Sequence, residues 1–224
     1  MSQALPETPD APVFFVSYRR PYEPGHPTVA ARPLGPEVRQ FFQDLTEDVG
    51  ELIGAPIGYD PGYLDRADSV GVDWERQLLT AIGTCQVLVC LMSEPLLRDS
   101  KWCAREWHAF ARRRVSPNPS QARTGEMAIV PVIWLPLGQT IDRLPPMVRK
   151  VGLFIPPDLP DPRFETAYRT DGLLGLIRTG QDRAYRAIVW KIAMHVNRVR
   201  QSCVVMPDIP ADISALPTSF EEDA

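Results

Sequence analysis

The chain has 224 residues, of which 44% are hydrophobic and 23% charged, with a formal net charge of -4. These values are typical of one globular domain with a substantial core, and they give no general support for binding to nucleic acid or to a membrane surface. No apolar run approaches the roughly 18 residues that span a bilayer, and the 4 cysteines and 3 histidines lack metal-ligand spacing. Because the first residues also lack a secretion signal, we expect a reduced, cytoplasmic protein without a bound metal.

The predicted elements alternate between strands and helices. A continuous apolar run at 13–16 predicts a strand that is covered on both faces, and a helix follows it between Pro36 and Gly54. Further strands are predicted near residues 57, 87, 128 and 151. This alternation predicts an α/β fold with a central parallel sheet of five strands, in the flavodoxin-like order 2-1-3-4-5, with helices on both faces. Pro131 lacks an N–H group, so we expect a bulge or a sheet edge there.

The two ends of the chain differ from its middle. Residues 1–11 are polar and rich in proline, which predicts a flexible leader. We expect one domain over 12–201, with a core at 13–135 and a helical extension at 136–201. A short helix near 173–177 and a long terminal helix over 183–201 belong to that extension. Residues 202–224 are predicted to be a disordered tail.

Two charged features have structural interpretations. The three arginines at 112–114 end a predicted helix, where cations complement its C-terminal dipole on a solvated face, although an anion-binding patch is the alternative. Asp65 lies in a polar loop that runs from 60 to 71. We expect Asp65 to keep that loop solvated.

The most informative segment follows the predicted strand at 87–92 and opens a helix that contains Trp102 and Glu106. Residues four apart share one helix face, so the two side chains should stand together. They would lie just beyond the carboxyl end of a strand, where open α/β sheets bind ligands. The pair can therefore be a stacking surface beside a buried acid. Alternatively, Glu106 is a solvated surface residue and Trp102 is part of the core.

Several common chemistries are not supported by the sequence. It has no GxGxxG or GxxxxGK[ST] motif, no GxSxG elbow, and no aspartate at the ends of the first and third predicted strands. A lone carboxylate is a poor catalyst for neutral acetals, which need an acid and a base or nucleophile. It is sufficient when the leaving group already carries a positive charge, as the nicotinamide of NAD does. One desolvated glutamate can then stabilise an oxocarbenium-like transition state, while an indole packs against the flat base.

Four motifs occur in an order that resembles a TIR domain. They are the strand end Phe15-Val16-Ser17-Tyr18, the loop that ends at Gly71, the strand and serine at 87–93, and Ser100-Lys-Trp102-Cys103-Ala-Arg-Glu106. The resemblance covers residues 13–135, and its most specific part is the spacing from Trp102 to Glu106.

This resemblance has implications for fold, substrate and site. It implies a flavodoxin-like TIR fold and cleavage of NAD at the nicotinamide–ribose bond, by a hydrolase or a cyclase, in signalling or anti-phage defence. Glu106 would be the catalytic residue, and Ser17, Tyr18 and Trp102 would lie near the nucleotide. NAD would be the substrate, with no other cofactor and no metal. Activity would require self-association through contacts between TIR domains.

A narrower resemblance points to another role. The Phe41-Phe42 pair, Cys103-x-Arg-Glu-Trp-x-x-Phe110, the segment from Ile129 to Trp134, and Leu-Pro-Pro at 144–146 resemble FxsC-type TIR-like proteins. That resemblance implies a non-catalytic protein-protein interaction module linked to peptide maturation. A long insert at 21–35, next to the expected nucleotide pocket, departs from minimal TIR domains.

Overall fold

The computed structural model describes residues 11–20, 34–65, 72–118 and 127–221. Within these ranges the chain forms an α/β fold, with helices flanking a parallel sheet. The strands are β1 (Phe14–Ser17), β2 (Gly62–Leu64), β3 (Val87–Met92), β4 (Val115–Pro117), β5 (Ile129–Ile133) and β6 (Cys203–Val205). The α-helices are α1 (Pro36–Ile53), α2 (Val72–Thr84), α3 (Glu94–Asp99), α4 (Lys101–Ala111), α5 (Pro146–Val151), α6 (Pro162–Arg178) and α7 (Asp182–Ser202). Short 3₁₀ helices cover Gly138–Arg143 and Ile213–Ala215.

The parallel sheet has four strands in the order β2-β1-β3-β5. In register, Phe15 lies opposite Tyr63, and Val16 lies opposite Val89. The order is broadly compatible with a flavodoxin-like fold. Every residue of β1 and β3 is buried, as the two continuous apolar runs predict.

The second strand lies later in the chain than predicted. Residues 56–59 form a turn in which the Tyr59 N–H donates to the Pro56 carbonyl at 3.1 Å, and β2 begins at Gly62. A Cβ atom at Gly62 would stand 2.6 Å from the Phe14 ring and 2.8 Å from the Phe42 ring. Glycine is needed there because β1 and α1 approach too closely for a side chain. A strand signal built on β-branched residues cannot reveal this strand.

The predicted fifth strand is not confirmed. Val151 ends α5, and residues 152–155 follow it without strand pairing. One strand-like contact is present, because the Phe154 N–H donates to the Pro131 carbonyl at 2.8 Å. β5 is an edge strand of the four-stranded sheet, as expected from Pro131, and its register with β3 continues through Pro131 without a bulge.

The extension is helical, as predicted, but the helix expected at 173–177 is longer. It is part of α6, which kinks at Gly172, where φ is 66°. A Cβ atom there would stand 2.5 Å from the Trp134 carbonyl oxygen, so the bend brings α6 against the end of β5. The terminal helix α7 has its apolar stripe buried, as predicted.

The prediction of disorder after residue 202 is wrong over 203–221. β6 pairs antiparallel with β4. Beyond it, Ile213 and Phe220 are each 1% exposed, and the Phe220 ring packs edge-on against Trp107 of α4 with centroids 5.7 Å apart. Two isolated apolar anchors hold a segment that has no hydrophobic period of its own. Of the predicted leader, residues 1–10 lie outside the described part of the chain.

Arg113 is buried rather than solvated. Its guanidinium donates to the Ile82 carbonyl at 3.0 Å and the Cys85 carbonyl at 2.7 Å, both at the end of α2. It also donates to the Val205 carbonyl at 3.3 Å and the Met206 carbonyl at 3.1 Å. The cation therefore complements the carboxyl end of a neighbouring helix, not of its own helix as predicted, and it fixes the segment after β6.

Among the described helices, none is long and apolar enough to cross a membrane.

Candidate functional site

The candidate site lies where the chain order of the sheet reverses. β1 and β3 are neighbours, and the connections that leave them lead to β2 and β5 at opposite edges of the sheet, which creates a crevice at the carboxyl ends of the strands. Ser17 is the last residue of β1. Glu106 lies on α4, which follows β3 after the short helix α3. Both residues therefore reach the ligand-binding edge that is usual for such sheets.

Two serine caps set the direction of α4. Ser93 caps α3 by accepting from the Leu96 N–H at 3.2 Å, and Ser100 caps α4 by accepting from the Cys103 N–H at 3.3 Å. α4 then turns one face to the core, on which Ala104 and Trp107 are buried. Glu106 stands on this buried side and is only 2% exposed. The interpretation of Glu106 as a solvated surface residue is therefore wrong.

Glu106 has one close hydrogen-bond donor. The Ser17 hydroxyl donates to Glu106 Oε2 at 2.5 Å, a short distance typical of a bond to a carboxylate. Burial raises the pKa of Glu106 to about 7, against the downward effects of the Ser17 hydrogen bond, the positive charge of Arg20 and the Trp102 indole. The carboxyl group therefore changes its ionisation near neutral pH, which is a property of groups that perform acid, base or electrostatic chemistry.

The two cysteines near Glu106 are not reactive thiolates. Burial raises the pKa of Cys103 to about 12 and that of Cys90 well above its ordinary value, and the negative charge of Glu106 adds to both shifts. Both thiols are buried and free. They stay protonated at neutral pH, so the nucleophilic chemistry of a thiolate is not available here.

Asp65 and Arg20 cover one side of the site. They form an ion pair in which both side chains are almost fully buried. Asp65 Oδ1 also accepts from the Trp74 indole at 2.7 Å, and its carbonyl accepts from the Tyr18 hydroxyl at 3.2 Å. The expectation that Asp65 solvates a loop is therefore wrong, because the end of β2 meets the end of β1 and buries the carboxylate beside a cation.

Two tryptophans complete the cover. The Trp74 and Trp102 rings stack with centroids 5.7 Å apart and an interplanar angle of 22°. The Arg20 guanidinium lies 5.3 Å from the Trp74 ring centre and 6.0 Å from that of Trp102. The Trp102 N–H is buried and makes no hydrogen bond of ordinary geometry to a described residue, although it is near enough to Glu106 to lower the pKa of that carboxyl. Trp102 thus packs on Trp74 and also faces the acid.

The structure brings together three of the four residues that the sequence singles out. Ser17 touches Glu106 directly, and Trp102 lies beside it. Tyr18 follows Ser17, and its hydroxyl donates to the Asp65 carbonyl. Their assignment as substrate-binding residues, and of Glu106 as catalytic, stays a prediction.

Arg20, Asp65 and Trp74 also belong to this site, although no sequence motif singles them out. A usable signal existed, because Arg20 comes soon after β1 and Asp65 directly after β2, and neighbouring parallel strands end at the same edge. That signal is visible only once β2 is placed at Gly62–Leu64. A metal is not indicated, because among the described residues no group of three His, Cys, Asp or Glu side chains could hold one.

Comparison of the chain with protein-family models, with curated proteins and with solved structures finds no match. The fold and the site define the class only: an α/β protein with a buried, proton-exchanging carboxylate at the switch point of its parallel sheet. Function has to be inferred from the chemistry of that site.

Proposed function

We propose that this chain is a TIR-like protein that cleaves NAD at the nicotinamide–ribose bond, with Glu106 as the catalytic residue. The observation that carries the proposal is the position and state of Glu106. It is a carboxyl group at the ligand-binding edge of the sheet, 2% exposed, bonded to Ser17 at 2.5 Å, with a pKa raised to about 7. A TIR fold with the segment after α5 in the position of the fifth strand belongs to the same proposal, supported by the hydrogen bond from the Phe154 N–H to the Pro131 carbonyl.

The proposed reaction needs only one carboxylate. The bond between ribose C1′ and the nicotinamide nitrogen breaks, and its electron pair stays with the ring, which leaves as neutral nicotinamide. Positive charge then develops on the ribose, where ionised Glu106 stabilises it in a water-poor environment. Water adds to C1′ and releases a proton in a hydrolase, whereas an internal nucleophile of the same molecule adds in a cyclase. Ser17 orients the carboxylate through its hydrogen bond.

The side chains that surround Glu106 limit the access of a substrate to it. Arg20, Asp65, Trp74 and Trp102 pack over the carboxylate in the state described. A substrate reaches Glu106 only if these side chains separate. This supports activation by self-association. In the proposal, self-association produces the active form in the cytoplasm during signalling or anti-phage defence.

A matched pair of variants tests the proposal. Glu106→Gln keeps the size of the side chain and removes the charge, so we expect nicotinamide release to fall by at least about 100-fold, as for loss of a main electrostatic group. The matched control is Glu94→Gln, an exposed glutamate on α3, which should leave release unchanged. Release is measured by chromatography after incubation of concentrated protein with NAD and a crowding agent that promotes assembly. Equal release by wild type and Glu106→Gln would contradict the proposal.

A second candidate function is favoured by one observation. Glu106 is only 2% exposed, and its neighbours Arg20 and Trp102 are themselves engaged, Arg20 in the ion pair with Asp65 and Trp102 in the stack on Trp74. A site that stays closed in this way suits a non-catalytic TIR-like interaction module of the FxsC type, linked to peptide maturation. In that case no nicotinamide is released at any protein concentration, and the Glu106→Gln variant binds its protein partners as the wild type does.

A further inference from the structure

A cavity lies at the end of the strands opposite to Glu106. It has a volume of about 600 Å³, within the range of roughly 300–1,000 Å³ that is usual for small-molecule sites. Its walls are the start of β1, the carboxyl ends of α1 and α2, the last turn of α7, and β6. The cavity therefore shares no residue with the Glu106 site.

Arg200 is the charged group of this cavity. It lies in the last turn of α7, and its Nε–H is buried without a hydrogen-bond partner among the described residues. Its Nη2 makes only a long contact of 3.4 Å with Asn197 Oδ1. No Asp or Glu side chain is present among the described residues that line the cavity. Arg200 therefore lines the cavity with one donor left unpaired, and no carboxylate among the described lining residues neutralises its charge.

The other polar groups of the wall are already engaged. The Tyr59 hydroxyl donates to the Ala11 carbonyl at 2.9 Å. The Gln86 side chain accepts from the Val205 N–H at 3.0 Å and donates to the Val205 carbonyl at 3.3 Å. Much of the remaining wall is apolar, and it includes side chains of Val13 and Ile53.

We propose that this cavity binds a small organic acid, with its carboxylate on Arg200 and its apolar body against the aliphatic wall. A guanidinium fork matches a planar carboxylate, and a charge-assisted pair of this kind is strong where water is scarce. A phosphate group would leave most of its oxygens without a charged donor, because Arg200 is the one cation among the described residues that line the cavity. The proposal is independent of the chemistry assigned to Glu106.

The test uses benzoate and hexanoate as acids and the matching neutral amides, benzamide and hexanamide, with binding to the full chain measured by isothermal titration calorimetry. We expect saturable binding of at least one acid. Its amide should bind at least about tenfold more weakly than the acid, because the amide cannot form the charged pair. Arg200→Gln should weaken binding of the acid by a similar factor. Arg198→Gln, which changes an exposed arginine on the same helix, should leave it within about twofold.

Two results would overturn the proposal. One is an absence of saturable binding by both acids, and the other is equal affinity for the acid in wild type and Arg200→Gln. If Arg200→Gln does not fold, Val204→Phe replaces it, because Val204 lines the cavity and a larger side chain there removes volume. Unchanged binding of the acid by the folded Val204→Phe variant would equally contradict the assignment.

Discussion

Two ionisable side chains, Glu106 in the middle of α4 and Arg113 just after its end, are both buried, and they are compensated to different degrees. Arg113 is 4% exposed and donates to four backbone carbonyls, so nearly all of its donor capacity is used. Glu106 is 2% exposed and has one short hydrogen bond, from Ser17. Burial lowers the pKa of Arg113 without removing its charge, whereas burial raises the pKa of Glu106 to about 7. Full compensation identifies a structural charge, and partial compensation leaves a group able to perform chemistry.

The largest expected effect is a loss of stability when Arg113 is substituted. Arg113→Met removes the hydrogen bonds from one buried cation to four backbone carbonyls, so we expect the free energy of unfolding to fall by roughly 3–5 kcal/mol. Urea unfolding at pH 7 measures it. Arg112→Met is the matched control, because Arg112 forms an exposed pair with Asp208 at 3.2 Å, and such pairs contribute about 0–1 kcal/mol. Equal losses in the two variants would mean that Arg113 does not anchor α2 and β6.

The next effect is the pH dependence of stability that Glu106 produces. Its pKa is about 7 in the folded chain against 4.5 for an ordinary glutamate, so the folded state holds a proton that the unfolded state releases between these values. The contribution of Glu106 is therefore greatest below pH 4.5 and is lost as pH rises through 7, by about 3 kcal/mol in all.

Urea unfolding between pH 5 and pH 8 measures this loss. Glu106→Gln cannot titrate, so over this pH range its free energy of unfolding should fall less than that of the wild type, by roughly 2.5 kcal/mol. The exposed Glu94→Gln variant should follow the wild type. Parallel pH profiles for wild type and Glu106→Gln would contradict the raised pKa.

The smallest expected effect is a shift in the pKa of Glu106 when Ser17 is substituted. Ser17→Ala removes the hydrogen bond that favours the ionised form, so the pKa of Glu106 should rise further, by an effect on the order of 1 kcal/mol. The pH at which the Glu106-dependent stability disappears then moves upward in the unfolding experiments. Ser93→Ala loses the cap of α3 instead, and should lower stability equally at each pH. A similar uniform loss in Ser17→Ala would show that Ser17 is only a packing residue.

The parts of the fold that could be predicted are those with a local pattern. β1 and β3 are continuous apolar runs, and α1 and α7 carry apolar residues at helical spacing. β2 could not be predicted because its first residue is Gly62, which has a low strand propensity. Glycine is required there because the Phe14 and Phe42 rings leave no room for a side chain. The segment after residue 202 is ordered by single buried side chains such as Phe220. A single apolar residue produces no periodic pattern that could predict this.

The site could be predicted only in part, for the same reason. Trp102 and Glu106 share a face through helical spacing alone, and both lie near the edge of the sheet. The contact of Glu106 with Ser17, 89 residues away, and the pair of Arg20 with Asp65 depend on which strands are neighbours. Burial, which sets the pKa of Glu106, is also a property of the assembled chain and not of the helix.

The most direct test of the account is a titration of Glu106 itself. The carboxyl carbon of Glu106 is followed by NMR in protein labelled at the glutamate side chains, and its resonance is assigned as the one absent from Glu106→Gln. We expect a midpoint near pH 7, displaced upward in Ser17→Ala. A midpoint near 4.5, the ordinary value for a glutamate, would show that the carboxylate is solvated and would contradict the central claim.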